Sequence, residues 1–322
     1  AVDVRFLYGA PAANLALEGE VLVRATDTLA AHPRFRFGLA SEEVEPMQRA
    51  LAAAETDGDG KARLIPALPE LTPTSRPLEA ELRVRVVDSG GRPVERALTL
   101  PVADAQLRLG IRPLFDGAVD DGGTAGFEVI AVGPDGARMG REGLRWTLSR
   151  VHRSFQWYEM DGKWDYEPVA TRERVASGNL SLDGRDAGRV EARVGWGGYE
   201  LEVTDTAGGA LPASVGFEAG WYVAPAAVDT PDLVKVSLDQ PRYRVGETAR
   251  VQIEPRFPGL ALVMVVDDRL VAMTPAEVPA QGATVELPVT ADWGPGAYVT
   301  AVLFRPMDLD TERMPGRGLG LA

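Results

Sequence analysis

The chain runs to 322 residues with 47 acidic and 34 basic side chains, a net charge of −13 and no cysteine. That length fits roughly two or three domains. The charge argues against nucleic acid, because phosphate binding draws its affinity from clustered Lys and Arg, and the absence of thiols excludes disulfides, thiolate nucleophiles and cysteine zinc sites. With 45% hydrophobic residues there is material for real cores. The 35 glycines and 24 prolines are scattered without a period, as punctuation between short strands. No signal peptide opens the chain, and no apolar run nears the roughly 20 residues of a membrane span. Membrane insertion is therefore not expected, and an exported native protein would make this an internal fragment.

Residues 2–7, VDVRFL, and 15–23, LALEGEVLV, read as two strands of a hairpin. Segment 43–55, EVEPMQRALAAAE, fits an extended strand, although Val44, Met47, Leu51 and Ala54 also fit a helical stripe. TDGDGKARL at 56–64 and VRVVDSGGRPVERALTL at 84–100 each put an Asp/Gly cluster between alternating segments, the signature of a hairpin. These strands make a first domain, 1–104.

A second domain, 105–230, centres on WTLSRVHRSFQWYEMDGKWDYEPV at 146–169. It reads as a strand pair around Met160–Gly162, with Trp157, Tyr158, Trp164 and Tyr166 facing one another across it. APAAVDTPD at 224–232 is the linker.

The third domain, 231–322, opens with DLVKVSLDQPRYRVGETARVQIEPRFPG at 232–259. Val234, Val236 and Leu238, and then Ala249, Val251 and Ile253, alternate with polar residues as in a sheet with one buried face. Pro241 and Gly246 bracket the turn between them, and Tyr243 is expected to drop its ring into the core. The unbroken run Leu260–Val266 suits a central strand, covered by core on one side and crowded on the other. AYVTAVLF at 297–304 closes the sandwich, and RMPGRGLGLA at 313–322 reads as a connector.

Chemistry-bearing patterns are weak. Asp57 and Asp59 resemble the start of a calcium loop, but the terminal glutamate of such a loop is missing. Asp120/Asp121 and Asp267/Asp268 are adjacent pairs that face opposite ways on a strand. His32 and His152 are the only histidines and neither has a metal-binding spacing. No nucleophile elbow, phosphate loop or zinc-protease helix is present. No catalytic, cofactor-binding or metal residue is assigned and no cofactor is expected. The rings at 157–166 leave a carbohydrate-stacking platform open beside the reading of cross-strand packing.

The Pro-x-Tyr-x-x-Gly-Glu turn at 241–247, WGGYELEVTD at 196–205, GFEAGWYVA at 216–224 and RPMDLDTERMPGRGLGLA at 305–322 together carry a resemblance. In order and spacing the chain resembles the bacterial alpha-2-macroglobulin family. The resemblance implies an all-β fold of tandem antiparallel β-sandwiches of fibronectin-like macroglobulin type. It also implies a non-enzymatic scaffold section of a protease trap. Its partners would be proteases, met through the full-length protein, and neighbouring macroglobulin and thioester domains of the same chain. The expected location is periplasmic, with the full-length protein membrane-anchored. The family's thioester needs a cysteine, which this sequence lacks, and the bait segment is expected beyond residue 322. A carbohydrate-binding or adhesin stalk of tandem sandwiches is the alternative.

Overall fold

The computed structural model describes residues 1–87, 93–160, 163–221, 230–306 and 317–322, without the side chains of Trp157 and Trp164. The fold is all-β, a tandem of antiparallel sandwiches, with one short 3₁₀ turn at Ala291–Trp293 and no α-helix among the described residues. The turns expected at 88–92 and 161–162, most of the expected linker, and residues 307–316 lie outside the described residues.

The N-terminal part holds β1 (Val2–Asp3), β2 (Ala16–Ala25), β3 (Arg36–Phe37), β4 (Met47–Ala50), β5 (Ala54–Glu55), β6 (Lys61–Ala62), β7 (Leu78–Val87) and β8 (Pro93–Pro101). Strand β2 is flanked by β7 on one side and by β4 and β5 on the other. Leu17, Val84 and Val86 bury one face of this sheet. Segment 43–55 is extended where it is regular, as β4 and β5.

Residues 2–7 and 15–23 do not form the expected hairpin. Strand β1 pairs with β6, and β2 pairs with β7 from Leu17↔Val86 to Ala25↔Leu78. The reason is partner length. Strands β2 and β7 are each ten residues long with matching alternation, whereas VDVRFL bends back at once through the Arg5↔Pro11 bridge. At 56–64 the turn forms but its flanks do not pair with each other. Asp57 Oδ1 accepts the N–H groups of Asp59 and Lys61 at 2.9 Å each, while β5 joins β2 and β6 joins β1.

The central sandwich contains β9 (Leu107–Pro113), β10 (Thr124–Val132), β11 (Gly140–Met160), β12 (Lys163–Asp183), β13 (Gly188–Arg193), β14 (Gly197–Asp205), β15 (Ala210–Leu211) and β16 (Ala213–Ala219). One sheet runs β13-β10-β9-β15 and the other β12-β11-β14-β16. Between them Leu109, Ile111, Phe127, Leu144, Leu148 and Leu201 are fully buried. Strands β11 and β12 are 21 residues each, but β14 covers β11 only from Leu144 to Arg150. Past Arg150 the two continue as a bare ribbon to Met160↔Lys163.

The C-terminal sandwich packs β17 (Lys235–Leu238), β18 (Thr248–Glu254) and β21 (Ala283–Pro288) against β20 (Leu270–Val278), β19 (Gly259–Val266), β22 (Tyr298–Phe304) and β23 (Arg317–Leu321). Strand β23 lies in the stretch expected to be a connector. Its glycines explain why it can pair. A Cβ on Gly318 would stand 2.6 Å from a Val234 methyl, and one on Gly320 would stand 2.2 Å from the Val234 carbonyl oxygen. Only bare backbone lets β23 approach β17 this closely. Tyr243 is half-buried against this core. Its hydroxyl donates to Asp239 Oδ1 at 2.6 Å and accepts from the Gln240 N–H at 3.1 Å. Burial and the Asp239 carboxylate push the phenol well above the usual tyrosine range.

The N-terminal and central parts interlock. Strand β3 pairs with β9, Arg36 opposite Ile111 and Phe37 opposite Gly110. Phe37 is fully buried with Phe35, Ile130 and Val132, and a Cβ on Gly110 would stand 2.6 Å from its ring. Beside it, Arg108 is buried, donates to the Ser75 carbonyl at 2.6 Å and pairs with Asp104. Ser75 in turn bonds Glu42 through its hydroxyl and through its N–H at 3.1 Å. Burial pushes the Glu42 carboxyl up, but the Ser75 and Thr74 hydroxyls, the Ser75 N–H and the Arg76 guanidinium together hold it below the usual range.

Phe37→Ala is expected to cost about 3 to 5 kcal/mol, read by denaturant unfolding, because it empties a site whose floor is backbone. Tyr243→Phe, which keeps the ring and removes the hydroxyl, costs about 1 kcal/mol. A carboxyl held low in the fold contributes stability above its unfolded pKa and loses it as pH falls through the folded one. The Glu42 contribution is therefore lost on acidification below about pH 4. Glu42→Gln should flatten that limb of the stability-versus-pH curve.

Candidate functional site

Strands β14 and β16 lie side by side, Gly197 opposite Ala219 and Tyr199 opposite Phe217. The chain thereby brings together Trp196, just before β14, and Trp221, just after β16. Their rings meet edge-on at 5.7 Å. Gly220 has φ +135, and a Cβ there would stand 2.6 Å from the Trp196 ring. Gly197, at φ +136, leaves room for the Arg150 guanidinium, 2.8 Å from where its Cβ would be. Both glycines are required by positive φ and by close approach.

The tryptophan pair is the joint with the C-terminal sandwich. Trp196 Nε1 donates to Glu254 Oε2 at 3.4 Å. The Arg250 guanidinium lies over the Trp221 ring at 5.3 Å, and Lys235 Nζ stands 3.7 Å from Glu218. At the root of the ribbon, Arg256 donates to the Arg153 carbonyl at 3.1 Å and lies over Phe155 at 5.3 Å.

These contacts wall a cleft of about 1000 Å³ between the N-terminal loop at Ala40–Ser41, the ribbon root and the Glu254–Arg256 turn. On its wall Glu200 is buried, accepting from Ser214 Oγ at 2.7 Å and from Arg172 Nε at 2.6 Å. Ser214 Oγ also receives the Ala40 N–H at 2.8 Å. At the other end of β14, Asp205 anchors the strand by accepting from Arg141 Nε at 2.8 Å and from the N–H groups of Ala207 and Gly209 at 2.9 Å each. Burial pushes its carboxyl up, and these donors outweigh the burial and hold it low.

The arrangement positions domains. Among the described residues no three of His, Asp and Glu gather to hold a metal. Asp57 caps its own turn, and Asp59, Asp120, Asp121, Asp267 and Asp268 are exposed. His152 sits 3.3 Å from Glu173 on the surface, and His32 bonds the Gly136 carbonyl at 2.9 Å. The structure does not bring the two histidines together.

On the ribbon, Trp157 stands opposite Tyr166 in register as expected, whereas Tyr158 pairs with Asp165 and Trp164 with Glu159. The Tyr166 ring meets Phe155 edge-on, at 5.4 Å and 89°. Two rings at right angles do not make a flat sugar-stacking surface. The side chains of Trp157 and Trp164 lie outside the described set.

Three family models match in chain order. They are the bacterial alpha-2-macroglobulin MG5 domain over residues 1–103, bacterial macroglobulin domain 6 over 110–221, and the alpha-2-macroglobulin bait region domain over 234–317. The chain is 34% identical over 327 residues to an alpha-2-macroglobulin of Xylella fastidiosa strain Temecula1, across 99% of this chain and 20% of that protein. The chain belongs to the bacterial alpha-2-macroglobulin family.

The alpha-2-macroglobulin of Escherichia coli K12 is 28% identical over 98% of the chain and 20% of its own length. Among solved structures, the native conformation of the E. coli alpha-2-macroglobulin superposes with a TM-score of 0.64 at 26% identity, over 98% of this chain and 21% of that one. A Salmonella alpha-2-macroglobulin reacted with methylamine gives 0.62 at 28% identity over the same shares. The trypsin-activated E. coli protein gives 0.50 at 25% identity, over 98% and 22%. The chain thus spans about a fifth of the length of these relatives. The third match assigns residues 234–317 to the family's bait region domain.

The sequence does not single out the joint, although two of the family-bearing segments contain its tryptophans. Gly220→Ala is expected to destabilise by about 1 to 3 kcal/mol through strained φ and the clash with Trp196. Gly208→Ala, at φ +72 with nothing within 4 Å, shares the positive φ without the clash. The difference between their thermal melts reports the clash with Trp196 together with the added strain of φ +135.

Proposed function

We propose that the chain is the scaffold section of a bacterial alpha-2-macroglobulin-like protease trap that protects the cell envelope from the periplasmic side. In this reading it contributes no covalent chemistry. With no cysteine in its 322 residues, any thioester belongs to another part of the full-length protein, which is membrane-anchored. The observation that carries the reading is the succession on one chain of two macroglobulin domains and a bait region domain.

The physical role is to convert a cut into movement. Proteases meet the bait-bearing domain, and the Trp196–Trp221–Glu254 joint passes the change to the central sandwich and to neighbouring macroglobulin and thioester domains. The superpositions support this: the fit falls from 0.64 on the native E. coli protein to 0.50 on its trypsin-activated form. A joint made of two arginine–aromatic contacts, two hydrogen bonds of 3.1 and 3.4 Å and one partly exposed ion pair is weak enough to yield, since each such contact contributes on the order of 1 kcal/mol or less.

Brief digestion with trypsin or elastase, followed by mass spectrometry, tests the proposal. The first cuts should fall within 234–322, leave 1–221 intact, and form no protease adduct stable to denaturing electrophoresis. First cuts inside the central sandwich, or a covalent adduct, would sink it.

A further inference from the structure

The two sheets of the C-terminal sandwich have unlike outer faces. On β17-β18-β21 the outward positions carry Lys235, Arg250, Gln252, Glu254, Thr284 and Glu286, the polar half of an ordinary alternation. On β20-β19-β22-β23 the outward positions are mostly apolar, with Glu277, Thr300 and Arg317 as the polar exceptions. Leu260 stands opposite Phe304, Met264 opposite Met273, Val266 opposite Tyr298, and Val302 opposite Leu319. The inward positions of the same strands, Ala261, Val263, Val265, Val299, Ala301 and Leu303, already fill the core.

The outer set is therefore surplus to the fold. On β19 itself the outward Leu262, Met264 and Val266 are half-buried by their neighbours, but around them Leu260, Met273, Tyr298, Phe304, Leu319 and Leu321 are between 43% and 63% exposed. Single exposed hydrophobics are ordinary, whereas an exposed, mostly apolar face spanning four strands, with charges only at Glu277 and Arg317, marks a surface that another body covers.

We propose that this face is the docking surface for the domain that follows Ala322 in the parent chain. The inference rests on the reading of this chain as one section of a longer alpha-2-macroglobulin. Two observations choose this occupant. Strand β23 is the edge of this very sheet, and Ala322 is still held to Val299 by reciprocal N–H···O bonds of 2.8 and 3.0 Å. Chain continuing from there emerges at the rim of the apolar face, where a short tether gives a high effective concentration. Relatives of which this chain spans about a fifth supply ample length for such a domain. A second copy is disfavoured because each copy carries −13, so self-docking works against net repulsion.

Methionine oxidation reads the surface directly, because Met273 is exposed on it while Met160, 62% exposed at the ribbon end, lies elsewhere and serves as the internal reference. Brief treatment with hydrogen peroxide, followed by peptide mass spectrometry, is applied to the 322-residue chain and to the chain extended through the next domain. The expected result is comparable oxidation of both methionines in the shorter chain. In the extended chain the Met273/Met160 ratio should drop about tenfold, since oxidation follows exposure. Phe304→Asp in the extended chain should restore Met273 oxidation.

An unchanged ratio in the extended chain overturns the proposal. So does protection in the shorter chain that grows with concentration alongside a dimer in sedimentation, which would make the occupant a second copy. The proteolysis pattern is a separate readout. First cuts within 234–322 together with an open Met273 would defeat the docking surface while leaving the functional reading standing.

Discussion

The contact on which the rest of the molecule depends is Phe37 seated on Gly110. The outer edge of β9 is completed by two short pieces, β15 from its own sandwich and β3 from the N-terminal part. A Phe ring fills the place that any side chain at 110 would occupy, so the two parts fold against each other or leave a sheet edge and an apolar slot open. Open edges invite wrong pairing. The interlock thus stabilises the chain and also sets which surfaces are available to other strands.

The two junctions differ in kind. The N-terminal one combines a buried aromatic, strand pairing, and the buried Arg108 held by Asp104 and the Ser75 carbonyl. Removing one partner from such a group costs more than the bond contributes, because the other is left without solvent or substitute. The C-terminal junction is built from the long Trp196–Glu254 hydrogen bond, the Arg250 stack on Trp221, the Lys235–Glu218 pair and the Arg256 contacts to Arg153 and Phe155. Each of these contributes on the order of 1 kcal/mol or less. The chain is stiff at one end and compliant at the other, and the compliant end is the one that adjoins the bait region domain.

Much of this was legible in the residues. Alternation in β7, β17 and β18 and the unbroken apolar run of β19 announced the sheets, and the hairpin of β7 with β8 followed from the Asp/Gly cluster between them. What the residues could not show was pairing across distance. Nothing local in VDVRFL says that its partner lies at Lys61–Ala62, and nothing in RFRFG marks Phe37 as belonging to a sheet that begins seventy residues later. Glycine misled in the same way: GRGLG reads as a flexible connector until Val234 stands against it. Even the tryptophans of the joint were quoted for resemblance before their meeting was visible, because side chains that close an interface carry no period.

The ribbon of β11 and β12 has a mechanical consequence. Beyond Arg150 no third strand pairs with its two strands among the described residues, and at about 3.3 Å per residue the ten positions to Met160 reach roughly 30 Å from the root. That root is gripped by Arg256 from the C-terminal sandwich. By plain geometry, a tilt of about 10° there sweeps the far end through about 5 Å at that reach. The ribbon is a pointer whose fulcrum lies in one sandwich and whose handle lies in the next. A spectroscopic label near its tip would magnify hinge movements too small to see at the joint.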